Sequence, residues 1–181
     1  MIKLDQRGSA SILALLMMIC LFAIMALVSD VGAMFCTKIL VKHKLNLALR
    51  GAVGADQLNQ TALRDAVNPR IEIDPALAGQ KFEEILKTNL RLDDAWQPMA
   101  GSPCGGQVQI LDFAVINTGF PYTYTYGTYS EVINRPSVVG IIQFPYKNSF
   151  LAQVAGVDEE QPMTVHVTVA PELVSKHLEE W

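Results

Sequence analysis

Side chains that could take part in catalysis are few and scattered in this sequence. The histidines are His43, His166 and His177, and no G-x-S-x-G or similar nucleophile pattern accompanies them. His43 lies between two lysines in a helical stretch, His166 is on the polar face of a predicted strand, and His177 is near the C-terminus. Because an activated nucleophile needs a base within hydrogen-bonding reach, this pattern indicates solvated surface histidines. We do not expect an enzyme.

Two acidic clusters raise the question of a metal site. Asp93-Asp94 and Asp158-Glu159-Glu160 lie in predicted loops. Paired carboxylates can serve in hydrolysis or bind calcium, but neither cluster has the spaced oxygen ligands of a calcium loop. No Cys-x-x-Cys or His/Cys spacing suggests zinc. We expect solvated turn residues, no metal and no cofactor.

The chain has three cysteines in different contexts. Cys20 lies within an apolar run, where a thiol behaves as a small apolar side chain. Cys36 follows that run and Cys104 lies in a Pro-Cys-Gly-Gly loop. If the domain lies outside the cytosol, Cys36 and Cys104 could form a disulfide, although the sequence alone does not bring them together.

Four tyrosines form an aromatic segment with threonines between them: Tyr122, Tyr124, Tyr126 and Tyr129. Stacking on nucleic-acid bases requires basic neighbours, but no Lys or Arg lies between Gly119 and Arg135, and the net charge is −4. We therefore exclude nucleic acid as a partner. Either the tyrosine face packs within the sheet, or Tyr122, Tyr124 and Tyr126 form a surface for a subunit or a ligand.

The element that must position everything else is the uncharged apolar stretch from Ser9 to Ser29. As a helix it would be about 31 Å long, which matches the hydrocarbon core of a bilayer. It is longer than the apolar region of a secretory signal, and no small-x-small cleavage site ends it. We predict a transmembrane helix at residues 9–29, preceded by a short cytoplasmic leader or N-terminal tail at residues 1–8.

An amphipathic extension is predicted at residues 30–67, because apolar residues continue to recur mostly at helical spacing. They are Val31, Phe35, Ile39, Leu45, Leu49, Val53, Leu58, Ala62 and Ala66. Gly51 and Gly54 weaken the helix and allow a bend there, while Asn68-Pro69 should end it. Ser9 to Val67 is thus expected to form one helix with one face that needs a partner.

Residues 68–170 should form an α+β domain, followed by a C-terminal tail at residues 171–181. Asp74-Pro75 is a typical helix start, and the helix should extend to about Arg91. The period then changes to two, which predicts an antiparallel sheet of about four strands with no helix between them. The predicted strands are at residues 107–117, 122–129, 137–146 and 163–169.

Two of these strands carry irregularities. In the first, Val108 and Ile110 alternate on one phase, but Phe113 and Val115 lie on the other. This change of phase indicates either a β-bulge or burial on both faces. In the third, Pro145 should confine that end of the strand to an edge.

Asp30 is the residue with the clearest functional alternatives, because it directly follows the apolar stretch. It could simply mark the water boundary. Alternatively, it pairs with a basic group of a neighbouring subunit, since a charge at the membrane must find a partner. Gly32 would then allow close helix approach, and Phe35 and Ile39 would add to the same assembly surface.

Three features of residues 7–55 carry a family resemblance. Arg7-Gly8 precedes the apolar helix, Asp30-Val31-Gly32 follows it, and an alanine-rich amphipathic helix ends in Gly51-Ala52-Val53-Gly54-Ala55. In order and spacing this resembles the N-terminal segment of TadE/TadG-like proteins of tight-adherence (Flp-type) pili. The long helix followed by an antiparallel sheet is similar to the pilin architecture.

The resemblance implies a pseudopilin, minor pilin or assembly component of a Tad/Flp-type pilus or a related secretion system. It implies a single pass through the bacterial cytoplasmic membrane, with the C-terminal domain extracytoplasmic. Its partners would be other pilin-like subunits, inner-membrane platform proteins and, for cleavage between Gly8 and Ser9, a prepilin peptidase. Leu13 stands where processed pilins carry Glu, so cleavage stays open.

Two further points stay open. The lysines after the apolar stretch, Lys38, Lys42 and Lys44, favour the opposite topology by the charge rule, although they can also lie along anionic headgroups. The alternative function is a membrane-tethered binding or sensory module with a ligand at the tyrosine segment.

Overall fold

A single long helix connects the apolar N-terminal stretch to the folded domain. The structure, a computed structural model, describes residues 6–65, 70–148 and 158–172. Helix α1 extends from Gln6–Ala52, over 47 residues. The expected helix to Val67 is therefore too long, because α1 ends at Ala52; Asn68-Pro69 lies outside the described residues.

The chain leaves the helical path at the two glycines. A Cβ on Gly51 would overlap the Cδ1 atom of Ile85, so a larger residue there would require the Ile85 side chain to move. Beyond Gly54 the chain forms a 3-10 turn at Ala55–Gln57 and a short helix α2 at Gln60–Leu63. Asn59 caps α2, because its Oδ1 accepts the backbone N–H of Thr61 at 3.1 Å.

Helix α3 extends from Pro75–Leu90, close to the predicted bounds. The Asp74 carboxylate accepts the N–H groups of Ala76 and Leu77 at 2.9 and 3.1 Å, which confirms the predicted cap. The helix ends at Arg91, which adopts the left-handed conformation with φ of 54°. Its buried residues repeat every fourth position: Ala78, Phe82, Leu86 and Leu90.

In the described part of the chain, five strands follow in two antiparallel sheets, and the α+β class is confirmed. The strands are β1 (Gln109–Ile116), β2 (Tyr122–Tyr126), β3 (Tyr129–Ile133), β4 (Ser137–Lys147) and β5 (Glu160–Val169). One sheet has the order β1-β4-β5, and the other is the hairpin β2-β3. The predicted single strand over residues 122–129 is wrong, since the chain turns at Gly127, which has a φ of 57°. That turn produces β3, which the sequence did not indicate.

Strand β1 contains the irregularity expected from its change of phase. Its register with β4 shifts between Ile110 and Asp112. The shift puts Ile110 and Phe113 together against the helices, while Leu111 packs on the opposite side. Both expectations are therefore correct: a bulge is present, and both faces are covered.

Strand β4 is the central strand of its sheet, but the end that contains Pro145 is unpaired on the β1 side, as expected for proline. The pairing with β1 stops at Gln109 and Gln143, so Pro145 lies beyond that ladder. On the side away from β5, Gly105 donates its N–H to the Pro145 carbonyl at 2.9 Å. The missing N–H of proline thus removes no ladder hydrogen bond on that side.

The three-stranded sheet is the middle of three layers. Helices α1 and α3 cover one face, with Val41, Leu45, Leu49 and Phe82 in the main core. The hairpin β2-β3 covers the other face through a second core. Its buried members are Ile116, Tyr124, Ile133, Val139 and Ile141.

Helix α1 has two halves with different surroundings. Its last turns bury one stripe completely: Val41, Leu45, Ala48, Leu49 and Ala52. Earlier in the helix, large apolar side chains from Ile12 to Val28 remain more than half exposed. The most apolar 18-residue window of Ala10–Ala52 has a mean hydropathy of 2.9 and no buried residue, so α1 is long and apolar enough to cross a membrane.

The buried and exposed faces of the last turns of α1 predict different responses to shortening a side chain. Leu45→Ala should lower the free energy of unfolding of the domain by about 3 kcal/mol, because Leu45 is fully buried. The matched variant Leu47→Ala, at a 43% exposed position two residues away, should cost less than about 1 kcal/mol. Urea titration in detergent measures both. Equal costs would contradict the assigned packing face.

Candidate functional site

The strongest candidate surface is the part of α1 between the apolar stretch and the buried stripe. Phe35 is 54% exposed and Ile39 is 67% exposed. Both residues are therefore left uncovered by their own domain. The predicted amphipathic face is divided, because Leu45 and Leu49 of the same apolar series are fully buried.

Gly32 lies on the same side of the helix as Phe35 and Ile39, since residues three, four and seven apart share a face. A Cβ built on Gly32 meets no atom within 4 Å. No packing within the described part of the chain therefore requires glycine at this position. Together with Val28, these residues define the outer α1 stripe: Val28, Gly32, Phe35 and Ile39.

Asp30 does not belong to that stripe, which corrects one expectation. Residues two apart on a helix point about 200° apart, so Asp30 and Gly32 face nearly opposite sides. Asp30 instead shares its side with Met34 and the buried stripe, is half-buried, and has an interaction partner. Asp30 and Gly32 would therefore contact different neighbours.

The residues of the expected cleavage position lie near the start of α1. Gly8 and Ser9 have helical backbones. Processing stays a prediction.

The tyrosine segment divides between core and surface. Tyr124 is only 6% exposed, and Tyr129 at the start of β3 is half-buried against the second core. Their rings meet edge to face at 6.1 Å. Tyr122 and Tyr126, which are 43% and 37% exposed, lie near opposite ends of β2. Packing on the sheet is thus correct for Tyr124, while a continuous contact surface of three tyrosines is not present.

A polar cluster connects the hairpin to the sheet beneath it. The Tyr124 hydroxyl donates to Asp112, and the Tyr129 hydroxyl donates to Glu131. Thr168 of β5 also donates to Glu131, at 2.6 Å. Burial and these carboxylates raise the pKa of both tyrosines above the ordinary value, so they stay protonated donors.

His166 belongs to this cluster and is less exposed than the sequence suggested. Its ring lies 3.9 Å from the ring of Tyr129, centroid to centroid. Burial, and then the charge of Lys42, lower the pKa of His166 below 6.5, while Glu131 acts in the opposite direction. Its ring contact with Tyr129 and the bond from Thr168 to Glu131 both join β5 to β3, so the cluster attaches the hairpin to the sheet.

The remaining candidate residues lie apart from this cluster. Asp93 stabilises a turn, because its carboxylate accepts the Gln97 N–H at 2.8 Å, and Asp94 lies 3.6 Å from Lys87. Glu159 pairs with Lys147 at 3.3 Å. Among the described residues no group of three His, Cys, Asp or Glu side chains could hold a metal ion. His177 lies outside them.

The cysteines are not joined. Cys36 is exposed on α1, whereas Cys104 is buried in the main core, and both are free. Burial raises the pKa of the Cys104 thiol from 9.0 to about 11, which makes it a poor nucleophile at neutral pH. A disulfide between Cys36 and Cys104 is not present.

Sequence reasoning did not identify Asp112 and Glu131 as structural residues. Each is the one acidic residue of an otherwise uncharged strand and is itself half-buried; Asp112 lies between the half-buried Leu111 and Phe113, whereas Glu131 lies between exposed residues of β3. Such a carboxylate must find donors, and the nearby tyrosines were the available ones. That combination was the signal in the sequence.

Comparisons with protein-family models, curated proteins and solved structures found no match to this chain. The resemblance to TadE/TadG-like proteins therefore stays a prediction from the residues.

The environment of His166 predicts a pH-dependent stability. Because its pKa in the folded protein is below 6.5, the unfolded chain takes up a proton first as the pH falls through 6.5. Stability should therefore decrease below that pH. Urea midpoints at about pH 7.5 and about pH 5.5 should differ more for the unmodified chain than for His166→Gln. If the urea midpoint changed equally with pH in both proteins, the pKa of His166 would not be lowered by folding.

Proposed function

We propose that this chain is a single-pass membrane protein of pilin-like design. It would serve a Tad/Flp-type pilus or a related secretion apparatus as a pseudopilin, minor pilin or assembly component. The observation that supports this most is the continuity of α1. The same helix provides an uncovered apolar half and a fully buried stripe in the domain core.

This continuity has a mechanical consequence. A flexible linker would let the anchor and the domain move independently, whereas an uninterrupted helix fixes the direction in which the apolar half leaves the domain. A subunit whose neighbours pack through the membrane helix benefits from such a fixed angle. The uncovered outer α1 stripe supports helix packing between subunits, with Gly32 permitting close approach.

The proposed location is the bacterial cytoplasmic membrane, with the C-terminal domain outside the cytoplasm. Its partners would be other pilin-like subunits and inner-membrane platform proteins. Cleavage by a prepilin peptidase between Gly8 and Ser9 would release residues 1–8, although Leu13 departs from the pattern of processed pilins.

A second candidate is a membrane-tethered binding module. Tyr122, Tyr126 and Val132 are exposed on the hairpin, and Val132 is 58% exposed. Exposed tyrosines are typical of binding surfaces. This candidate predicts that loss of the protein leaves pili intact, whereas the pilin-like proposal predicts loss or a clear reduction of pili in a deletion strain.

Topology can be tested with a single introduced cysteine. Thr125→Cys places a thiol on the exposed hairpin, in a chain whose exposed Cys20 and Cys36 are replaced by Ser. A membrane-impermeant maleimide should label it in intact spheroplasts. Labelling only after lysis would place the domain in the cytoplasm and overturn the proposed location.

The role of Asp30 can be separated from folding. We expect Asp30→Ala to lower the number of assembled pili more than it lowers the amount of protein in the membrane. Asp56→Ala, at an exposed acidic position in the 3-10 turn, is the matched control and should change neither. Pili counted by electron microscopy and immunoblots of membrane fractions measure the two quantities. Equal losses would instead indicate a role in insertion or folding.

A further inference from the structure

Within the described residues, strand β5 forms one edge of the three-stranded sheet and pairs with β4. Pro145 lies opposite Pro162, and the Pro145 carbonyl is directed away from β5, toward Gly105. This pair is therefore not hydrogen-bonded. Antiparallel pairs alternate between hydrogen-bonded and non-hydrogen-bonded, and the register between β4 and β5 is unbroken from Pro162 to Val169. The N–H and C=O groups of Thr164, His166 and Thr168 are therefore directed outward from the sheet.

This outer edge is open in the part of the chain that the structure describes. Among the described residues, no backbone group outside β4 is hydrogen-bonded to the backbone of these three residues. Edge strands are usually protected by a lysine, a proline or a bulge. Between Met163 and Val169 the strand has none of these, so it offers a regular row of donors and acceptors.

A second copy of this chain is a poor partner in an antiparallel arrangement. Helix α1 runs in the direction of β5: Leu49 lies against Gly140, which pairs with Val167, and Arg50 pairs with Glu172 further along. Antiparallel pairing of two β5 strands would therefore place the two α1 helices antiparallel. Two chains anchored in the same orientation in one membrane cannot adopt it.

Side-by-side copies are also disfavoured. If β5 of one copy paired with β1 of the next, three strand steps at about 20–25° each would rotate neighbouring copies by about 60–75°. Transmembrane helices tilt by about 0–40°, so successive copies could not continue such a sheet. The edge fits a single added strand better than another whole domain.

The charge beside the edge indicates what such a strand would carry. Lys38 and Lys42 are exposed on α1, and both act electrostatically on His166. They are about 6 Å apart along the helix axis, while alternate residues of a strand are about 6.8 Å apart. Two acidic side chains at alternate positions of an added strand would therefore match the two lysines.

We propose that the outer edge of β5 binds an extended acidic segment of a partner protein by strand addition. The backbone of Thr164, His166 and Thr168 supplies the hydrogen bonds, and Lys38 and Lys42 select acidic residues at alternate positions. This inference rests on the membrane anchorage of the proposed function where it excludes self-pairing. It does not depend on a role in pili.

Amide hydrogen exchange on the full chain in detergent micelles tests the proposal directly. In the free chain, the amides of Thr164 and His166 should exchange fast, and those of Met163 and Val165 slowly, because only the latter bond to β4. The synthetic peptide acetyl-Thr-Glu-Val-Glu-Val-Thr-amide should slow exchange at Thr164, His166 and Thr168 by about tenfold or more at saturation.

Matched variants separate the edge from the fold. Thr164→Pro removes an outward N–H that has no backbone partner in the described part of the chain, and peptide protection at His166 and Thr168 should disappear. Thr125→Pro is the control. The pair next to a two-residue turn, Tyr126 and Tyr129, is hydrogen-bonded. The next pair, Thr125 and Ser130, is therefore not hydrogen-bonded, and proline at position 125 removes no ladder bond. Peptide binding should survive in that variant.

The acidic preference has its own test. The peptide with Lys in place of both Glu residues should bind about tenfold or more weakly, and the double variant Lys38→Glu, Lys42→Glu should reverse the preference. Equal binding of both peptides would overturn the acidic partner. Binding without protection at the three amides would overturn strand addition. Protection of those amides in the peptide-free chain, lost on dilution, would show self-pairing and overturn it as well.

Discussion

The buried stripe of α1 is the interaction on which the rest of the structure depends. Val41, Leu45 and Leu49 lie between the sheet and α3 with no exposed surface. Each large apolar side chain buried in this way contributes about 1.5–3 kcal/mol. Without this stripe the sheet would lose the cover of its helix face, and the apolar half of α1 would lose its fixed attachment.

Two glycines allow α1 to lie close to its neighbours, one toward the sheet and one toward α3. Leu49 contacts the sheet at Gly140, where an added Cβ would lie 3.0 Å from its Cδ2. On the other side, Gly51 lets Ile85 of α3 approach the end of α1. The glycine that looked like a weak point in a long helix is therefore a contact point, and it precedes the end of α1 by one residue.

Regular local patterns predicted most of the elements. Asp74-Pro75 predicted the start of α3, and the change of phase in β1 predicted its bulge, because caps and alternation are local properties of the chain. The end of α1 was not predictable in the same way, since helical spacing continues beyond Ala52. The hairpin was missed because its turn interrupts a tyrosine–threonine alternation that resembles one strand.

The candidate surface illustrates why periodicity alone cannot locate a site. Val31, Phe35, Ile39, Leu45 and Leu49 form one apolar series in the sequence, but a helix rotates by about 100° per residue. Phe35 and Ile39 consequently point well away from the direction of Val41 and Leu45. Helix α1 has two apolar stripes, and its own domain covers only one of them.

The second stripe needs lipid or protein around it, because uncovered apolar surface of this extent is unfavourable in water. Near Val28 a bilayer could supply that cover, because the uncharged apolar stretch ends at Ser29. Phe35 and Ile39 lie about 8 Å and 14 Å beyond Asp30 along the helix axis, where headgroups give way to water. Their exposure is therefore the strongest physical reason to expect a neighbouring protein beside α1, and the open place at Gly32 is where that neighbour can come closest.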